Sequence, residues 1–279
     1  VNAANQIDWA NLQWPQNGAI NTGGTYNVYA QTYEPGVTDA AGQGAGLSAW
    51  IGYSTSNTDP STWTNWVVAT YNTDAGNNDE YMANIAGGLT ANKYYYASRF
   101  KLGAAPYVYG GFAGGFWNGT SNVSGELLVA PEWTLGWPKA ENPSSSGFVA
   151  KVNLDSPGTA YFVVLPSGAT APTPTQVKAG QNASGASVAA NLKGTIACAA
   201  GTTEYTLNVS GLTGSTTYDV YFTAEGTVNN LQVTVALKSV TTSTSATAPV
   251  VSTPVFNTVG TTTAVLGGTI DSDGGSAIT

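Results

Sequence analysis

Short runs of alternating apolar and polar residues recur along the whole chain, each closed by Gly, Asn, Pro or Asp. In TYDVYFTAE (217–225), Tyr218, Val220, Phe222 and Ala224 share one phase. A period of two belongs to a strand, whose successive side chains point to opposite faces. No long segment carries the spacing of an amphipathic helix. The strongest helical candidate is TPTQVKAG (173–180), with Thr173 as N-cap, Pro174 at the first helical position and Gly180 as a stop. It is long enough for one or two turns. The pattern restricts the chain to an all-β fold built from antiparallel sandwiches.

Eight strand candidates precede residue 131: 7–14, 25–33, 47–54, 65–71, 80–86, 93–102, 107–112 and 123–130. They define a first, aromatic-rich sandwich over residues 1–130. Seven more, 132–138, 147–154, 159–166, 185–194, 204–210, 217–225 and 231–240, define a second over 131–243. The segment 241–254 is rich in Ser and Thr, uncharged, and ends in prolines, as a linker would. Residues 244–279 are expected to hold that linker and the first strands of an incomplete third sandwich. The last stretch, LGGTIDSDGGSAIT (266–279), reads as a strand and a turn with the next strand just opening. Two strands cannot bury both faces. The expectation is therefore that the chain continues beyond Thr279, or that these strands complete a neighbour's sheet.

Charged residues make up only 9% of the chain, against about 25% in an average soluble domain. The surface is therefore built from Thr, Ser, Asn, Gln and Gly. Sixteen acidic and eight basic residues leave a net charge of −8. That argues against nucleic acid, whose phosphates need Lys and Arg, and against anionic lipid. No apolar run has the length of a membrane span. The opening VNAANQIDW lacks the basic and apolar regions of a signal peptide. The chain contains no histidine, so Ser-His-Asp and Cys-His triads cannot be built. The single cysteine, Cys198, excludes a disulfide within the chain and is read as a small buried apolar residue.

Gly-Leu-Thr leads across a turn into a Tyr-rich strand twice, from Gly88 and from Gly211. In the second case Leu212 and Tyr218 have the spacing of a tyrosine corner, in which the ring packs inward and the hydroxyl bonds back to backbone. In the first, Tyr94, Tyr96, Ser98, Phe100 and Leu102 are assigned to the inner face. The opposite phase would bury Arg99 and Lys101 unpaired, at a cost of several kcal/mol.

The stretch from PKAENPSSSGFVAKVNLDSPGTAYFVVLPSGATAPTPTQVKAG to GLTGSTTYDVYFTAE resembles fibronectin type III-like and immunoglobulin-like modules of large exported bacterial proteins, especially surface proteins of the Bacteroidota. The resemblance covers most of residues 133–243. TAPVVSTPVFNTVGTTTAVLGGTIDSDGGSAIT looks like the opening strands of a further repeat. VYAQTYEPGVTDAAGQGAGLSAWIGYS and GNNDEY are similar to sandwich modules that stand beside such repeats. The resemblance implies a non-catalytic structural or adhesive segment of a large secreted or cell-surface multidomain protein, and the low-charge surface, on which copies can pack side by side without strong repulsion, adds the expectation of a filament or other homo-assembly. Its expected partners are copies of itself, neighbouring domains of the same chain, or surface glycans.

All eight Trp lie in the first 137 residues. Flat indole and phenol rings stack on the apolar faces of sugars, and Asn, Gln and Asp bind sugar hydroxyls. Trp63 and Trp66 flank a polar turn, and Phe116 and Trp117 lie in the glycine-rich GGFAGGFWNGT (110–120). These four are the candidate glycan-binding residues, which would make residues 1–130 a carbohydrate-binding module. Core packing and a protein interface are the competing readings. Trp9 and Trp50, inside alternating strands, are assigned to the core. Asp74, Asp79 and Glu80 cluster in NTDAGNNDE (72–80), where calcium would find oxygen ligands; the alternative is a polar hairpin turn. Paired carboxylates could hydrolyse glycosides, but no catalytic framework surrounds Glu34, Asp39, Asp79 or Glu80. The chain is read as a non-enzyme with no cofactor other than calcium.

Overall fold

The computed structural model describes residues 6–247 and 250–272, and it is almost entirely antiparallel β. No helix among the described residues is long and apolar enough to cross a membrane.

The first sandwich is built from β1 (Trp9–Ala10), β2 (Asn17–Asn21), β3 (Asn27–Tyr33), β4 (Leu47–Ser54), β5 (Asn65–Ala75), β6 (Asn78–Asn84), β7 (Asn92–Leu102), β8 (Val108–Gly111), β9 (Gly115–Phe116) and β10 (Gly125–Ala130). They follow one hydrogen-bonded path, β1-β3-β6-β5-β4-β7-β10-β2. The path folds into two layers at β5. Residues 65–69 of β5 pair with β4, and residues 70–75 pair with β6 across a register shift between Tyr71 and Thr73. A strand that changes sheet through such a shift makes a corner. Strand β2 runs parallel to β10, and the other pairings are antiparallel.

Between the layers lie Val28, Ala30, Ile51, Tyr81, Tyr96, Phe100 and Leu127, all essentially inaccessible. The Tyr96 hydroxyl donates to the Pro15 carbonyl at 2.7 Å and lies 2.9 Å from the Tyr26 hydroxyl, so its polar tip is satisfied. Tyr94, Tyr96, Ser98 and Phe100 point inward and Arg99 lies on the opposite face, in the expected phase.

The second sandwich contains β11 (Lys139–Glu141), β12 (Gly147–Val152), β13 (Gly158–Pro166), β14 (Lys193–Cys198), β15 (Tyr205–Ser210), β16 (Thr217–Gly226) and β17 (Ala236–Thr241). A three-stranded sheet, β11-β12-β15, faces a four-stranded one, β14-β13-β16-β17. Phe148, Phe162, Val220 and Phe222 fill the space between. Cys198 is buried there, and burial pushes its thiol up. Helix α1 (Pro174–Lys178) has Thr173 as its cap, bonded reciprocally with Gln176. It lays Val177 on Val163, Leu165 and Tyr221, so β13 and β16 are buried on both faces.

Three expected strands are corrected. Residues 132–138 make only an isolated bridge at Trp133, and the strand starts at Lys139. Residues 185–194 give a 3₁₀ turn at Ala190–Leu192 before β14. Residues 231–235 lie outside β17 because they help to close the joint between the sandwiches.

That joint is a packed polar network. Asn230 and Gln232, 1% and 2% exposed, donate to the carbonyls of Val129 and Pro131. Gln232 also accepts from the Ala224 amide at 3.0 Å. Asn21, at the end of β2, donates to Glu132 and accepts from the Val233 amide. Trp133 packs edge-on to Phe222 with ring centres 6.3 Å apart.

The third region forms the hairpin β18 (Val250–Asn257) and β19 (Val265–Ser272). Strand structure therefore already begins inside the segment assigned to the linker. Val255, Val265, Leu266 and Ile270 are exposed on this hairpin. The final turn and strand opening, residues 273–279, lie outside the described residues.

Candidate functional site

The outer face of the β4–β7 layer carries large rings where a solvated sheet would carry polar side chains. Strand register explains how they meet. Trp50 pairs with Val68 on β5 and Arg99 on β7, and Arg99 pairs with Tyr109 on β8. One step along, Trp66 pairs with Gly52, and Gly52 with Ala97. With no side chain at Gly52, the Trp66 indole lies flat over the sheet; a Cβ there would stand 2.6 Å from the ring. Trp50 is thus a surface residue and not the core residue expected from its strand.

Arg99, the chain's single arginine, is the centre of this face. Its guanidinium carbon lies 4.1 Å from the Trp66 ring centre, 4.2 Å from Tyr107 and 4.9 Å from Trp50. Such stacking on aromatic faces is attractive, and the side chain is also hydrogen-bonded with Tyr109. The buried Nε has no hydrogen-bond partner. Burial lowers the Arg99 pKa, opposed by the Tyr107 and Tyr109 phenols; a guanidinium stays charged regardless. Lys101 continues the face, with Nζ 5.2 Å from the Tyr107 ring centre.

A cleft of about 380 Å³ opens beside this platform. Tyr109, Phe116, Trp117, Val108 and Ile7 supply apolar wall, and Gln6, Asp8, Asp59 and Ser61 supply polar groups. Trp117 is placed by its amide bond to the Tyr109 carbonyl at 2.8 Å and by its indole bond to Ser124 at 3.1 Å. Phe116 is 40% exposed. The Asp59 carboxylate accepts from the Ser61 amide at 2.9 Å, holding the turn at the cleft's rim. A lining that combines rings with carboxylate, amide and hydroxyl groups suits a ligand with both apolar and hydroxylated faces.

Of the four candidate aromatics, Phe116 and Trp117 line the cleft, and Trp66 belongs to the platform and touches Tyr109 at 5.9 Å. Trp63 is corrected. It is 7% exposed, its indole donates to Thr58 at 3.1 Å, and its ring packs under Trp66 at 6.2 Å. It supports the platform and presents no face to a ligand. Sequence reasoning missed Trp50, Tyr107 and Tyr109. The signal was available in part: Ser48, Trp50 and Gly52 share a phase opposite to Leu47, Ala49 and Ile51.

Of the three carboxylates proposed for calcium, Asp74 and Asp79 are cross-strand partners, and Glu80 lies on the other face. Asp79 is fully buried and accepts from the Gly44 amide at 2.7 Å, while its other oxygen is unpartnered. Burial raises its pKa. Asp74 accepts from the Gly42 amide and from Tyr71, whose phenol is pushed up to about 12 chiefly by that bond. Together the two aspartates pin the 42–44 loop. Glu80 alternates to the other face of β6 and binds Asn72 and Gln31. No group of three or more His, Cys, Asp or Glu able to hold a metal occurs among the described residues. Glu34 and Asp39 accept from the Asp8 and Gly36 amides and serve their own loop.

In the second sandwich Leu212 is buried and the Tyr218 hydroxyl accepts from the Thr213 amide at 3.0 Å. This is the geometry of a tyrosine corner.

No protein-family model and no curated protein matches the sequence. Among solved structures, the chain is similar to the FN1–FN3 domains of chicken CNTN1, with TM-score 0.29, 10% identity, and coverage of 84% of this chain and 68% of that one. It is also similar to the chicken interferon gamma receptor alpha chain, with TM-score 0.36, 8% identity, and coverage of 85% and 100%.

Proposed function

We propose that the chain is a non-catalytic adhesive segment of a larger secreted or cell-surface protein, and that its first sandwich makes the contact by binding glycans. The observation that carries this reading is the cleft lined both by Tyr109, Phe116 and Trp117 and by Asp8, Asp59, Ser61 and Gln6. A ring of sugar presents C–H groups to aromatic walls and hydroxyls to carboxylates and amides. A volume of about 380 Å³ falls within the range of small-ligand sites. The lack of histidine, the buried Cys198 and the dispersed carboxylates support a non-catalytic role. The hydrogen-bonded joint to the second sandwich fits a spacer that presents the face.

The test is a glycan array probed with residues 1–247, followed by calorimetry on the best binder. Trp117→Ala and Phe116→Ala are expected to weaken binding by about tenfold or more, as removal of a ring from a stacking site does. A blank array, or binding indifferent to both substitutions, would overturn the reading.

A further inference from the structure

We infer that the ligand of this face is an acidic glycan, and that Arg99 and Lys101 hold its carboxylate. The inference rests on the glycan reading above and goes beyond it in naming the sugar class.

Neutral sugars need rings and hydrogen-bonding groups; they do not need a cation. Yet the platform is centred on one. Arg99 and Lys101 lie two residues apart on the same outer face of β7, among Trp50, Trp66, Tyr107 and Tyr109. Acidic residues outnumber basic ones sixteen to eight, so carboxylates were abundant as partners. Lys93, Lys139, Lys151 and Lys178 each pair with a glutamate. Among the described residues neither Arg99 nor Lys101 makes such a pair, and nor do Lys193 and Lys238; Arg99 differs from those two in being set among rings, with the neutral Tyr109 hydroxyl as its hydrogen-bond partner. Partial burial of a guanidinium without a carboxylate is unfavourable in itself, and cation–π stacking recovers only part of the loss.

Three rings, Trp66, Tyr107 and Trp50, surround the guanidinium and restrict its plane. Its Nε is buried and the side chain is hydrogen-bonded with Tyr109, so an anion would be met by the terminal nitrogens. Lys101 adds a second, mobile charge on the same face. Tyr109 belongs both to the platform and to the cleft, so a sugar ring against Tyr109 and Trp117 would carry its carboxylate toward Arg99. The matching chemistry is a uronic or sialic acid residue in a chain of otherwise neutral sugars.

The experiment compares uronate- and sialate-bearing glycans with the same glycans after reduction of the carboxyl group to an alcohol. The protein is residues 1–247, wild type and the variants Arg99→Gln and Lys101→Gln. Lys101→Gln guards against misfolding, since Lys101 fills no core position. Carboxylated members are expected to bind about tenfold more tightly than their reduced partners, with the difference shrinking as salt is raised. Each variant should remove most of that difference, read as the ratio of carboxylated to reduced binding within the same variant. Equal binding within each pair, or a carboxylate preference untouched by Lys101→Gln and Arg99→Gln, would overturn the inference. Binding of reduced or neutral glycans alone, lost in Trp117→Ala, overturns the acidic class and leaves the glycan reading standing. No binding to any member overturns both.

Discussion

Gly52 shows how one residue sets the outer face. Its missing side chain is what lets the Trp66 indole lie against β4 and reach Arg99. In Gly52→Ala the new methyl would meet the indole at 2.6 Å, and the ring must lift. We expect a loss of about 1–3 kcal/mol from overpacking, read by urea unfolding, together with a shift in tryptophan emission. Unchanged stability and emission would show that the indole does not depend on the glycine. The phase of β7 was legible in the sequence, because charge cannot be buried unpaired and Arg99 and Lys101 therefore marked the outside. The phase of Trp50 was equally available, but indole is at home in a core and the ring outweighed its small neighbours Ser48 and Gly52. Trp63 erred in the other direction. A polar turn around it suggested exposure, while its own indole bond to Thr58 closed the turn over it.

Among elements, strands with clear alternation were the most legible: 47–54 and 217–225 match β4 and β16 almost residue for residue, although helix α1 covers the second face of β16. What alternation does not encode is pairing. Nothing in residues 65–75 announced that β5 would serve two layers, or that β8 would bring Tyr109 beside Arg99. The convergence of the platform rings was therefore invisible, although most of its rings lay in expected strands. The tyrosine corner was legible because it is local: a leucine, a turn and a tyrosine at fixed spacing. Its hydroxyl accepts one backbone bond, from Thr213. Tyr218→Phe should therefore cost about 1 kcal/mol, the usual net value of one hydrogen bond, measured by denaturant midpoint at unchanged m-value. A cost near zero would mean that water replaces the hydroxyl without loss.

For the whole molecule, alternation foretold the all-β class but not how the first two sandwiches are joined. The boundary expected near residue 130 came from counting strand candidates, which says nothing of what crosses it. The amides that close it, Asn230 and Gln232, are about a hundred residues away along the chain. Gln232→Ala would leave the Ala224 amide and the Pro131 carbonyl without this partner. The expected cost is about 2–4 kcal/mol for two buried groups, and small-angle scattering should show a broader, longer particle than wild type. A scattering curve that superimposes on wild type would show that the joint holds without this amide.

The course of β10 has a mechanical meaning. This strand leads directly into the joint, and both of its edges are bonded, to β7 over residues 125–129 and to β2 over residues 126–130. Ladder bonds lie across the strand direction. A pull transmitted through Pro131 runs along β10 and loads these two ladders in shear, all rungs together, instead of peeling them one by one. The strand that ties the first sandwich to the second is therefore oriented to stay in place when tension arrives from the side of the second sandwich.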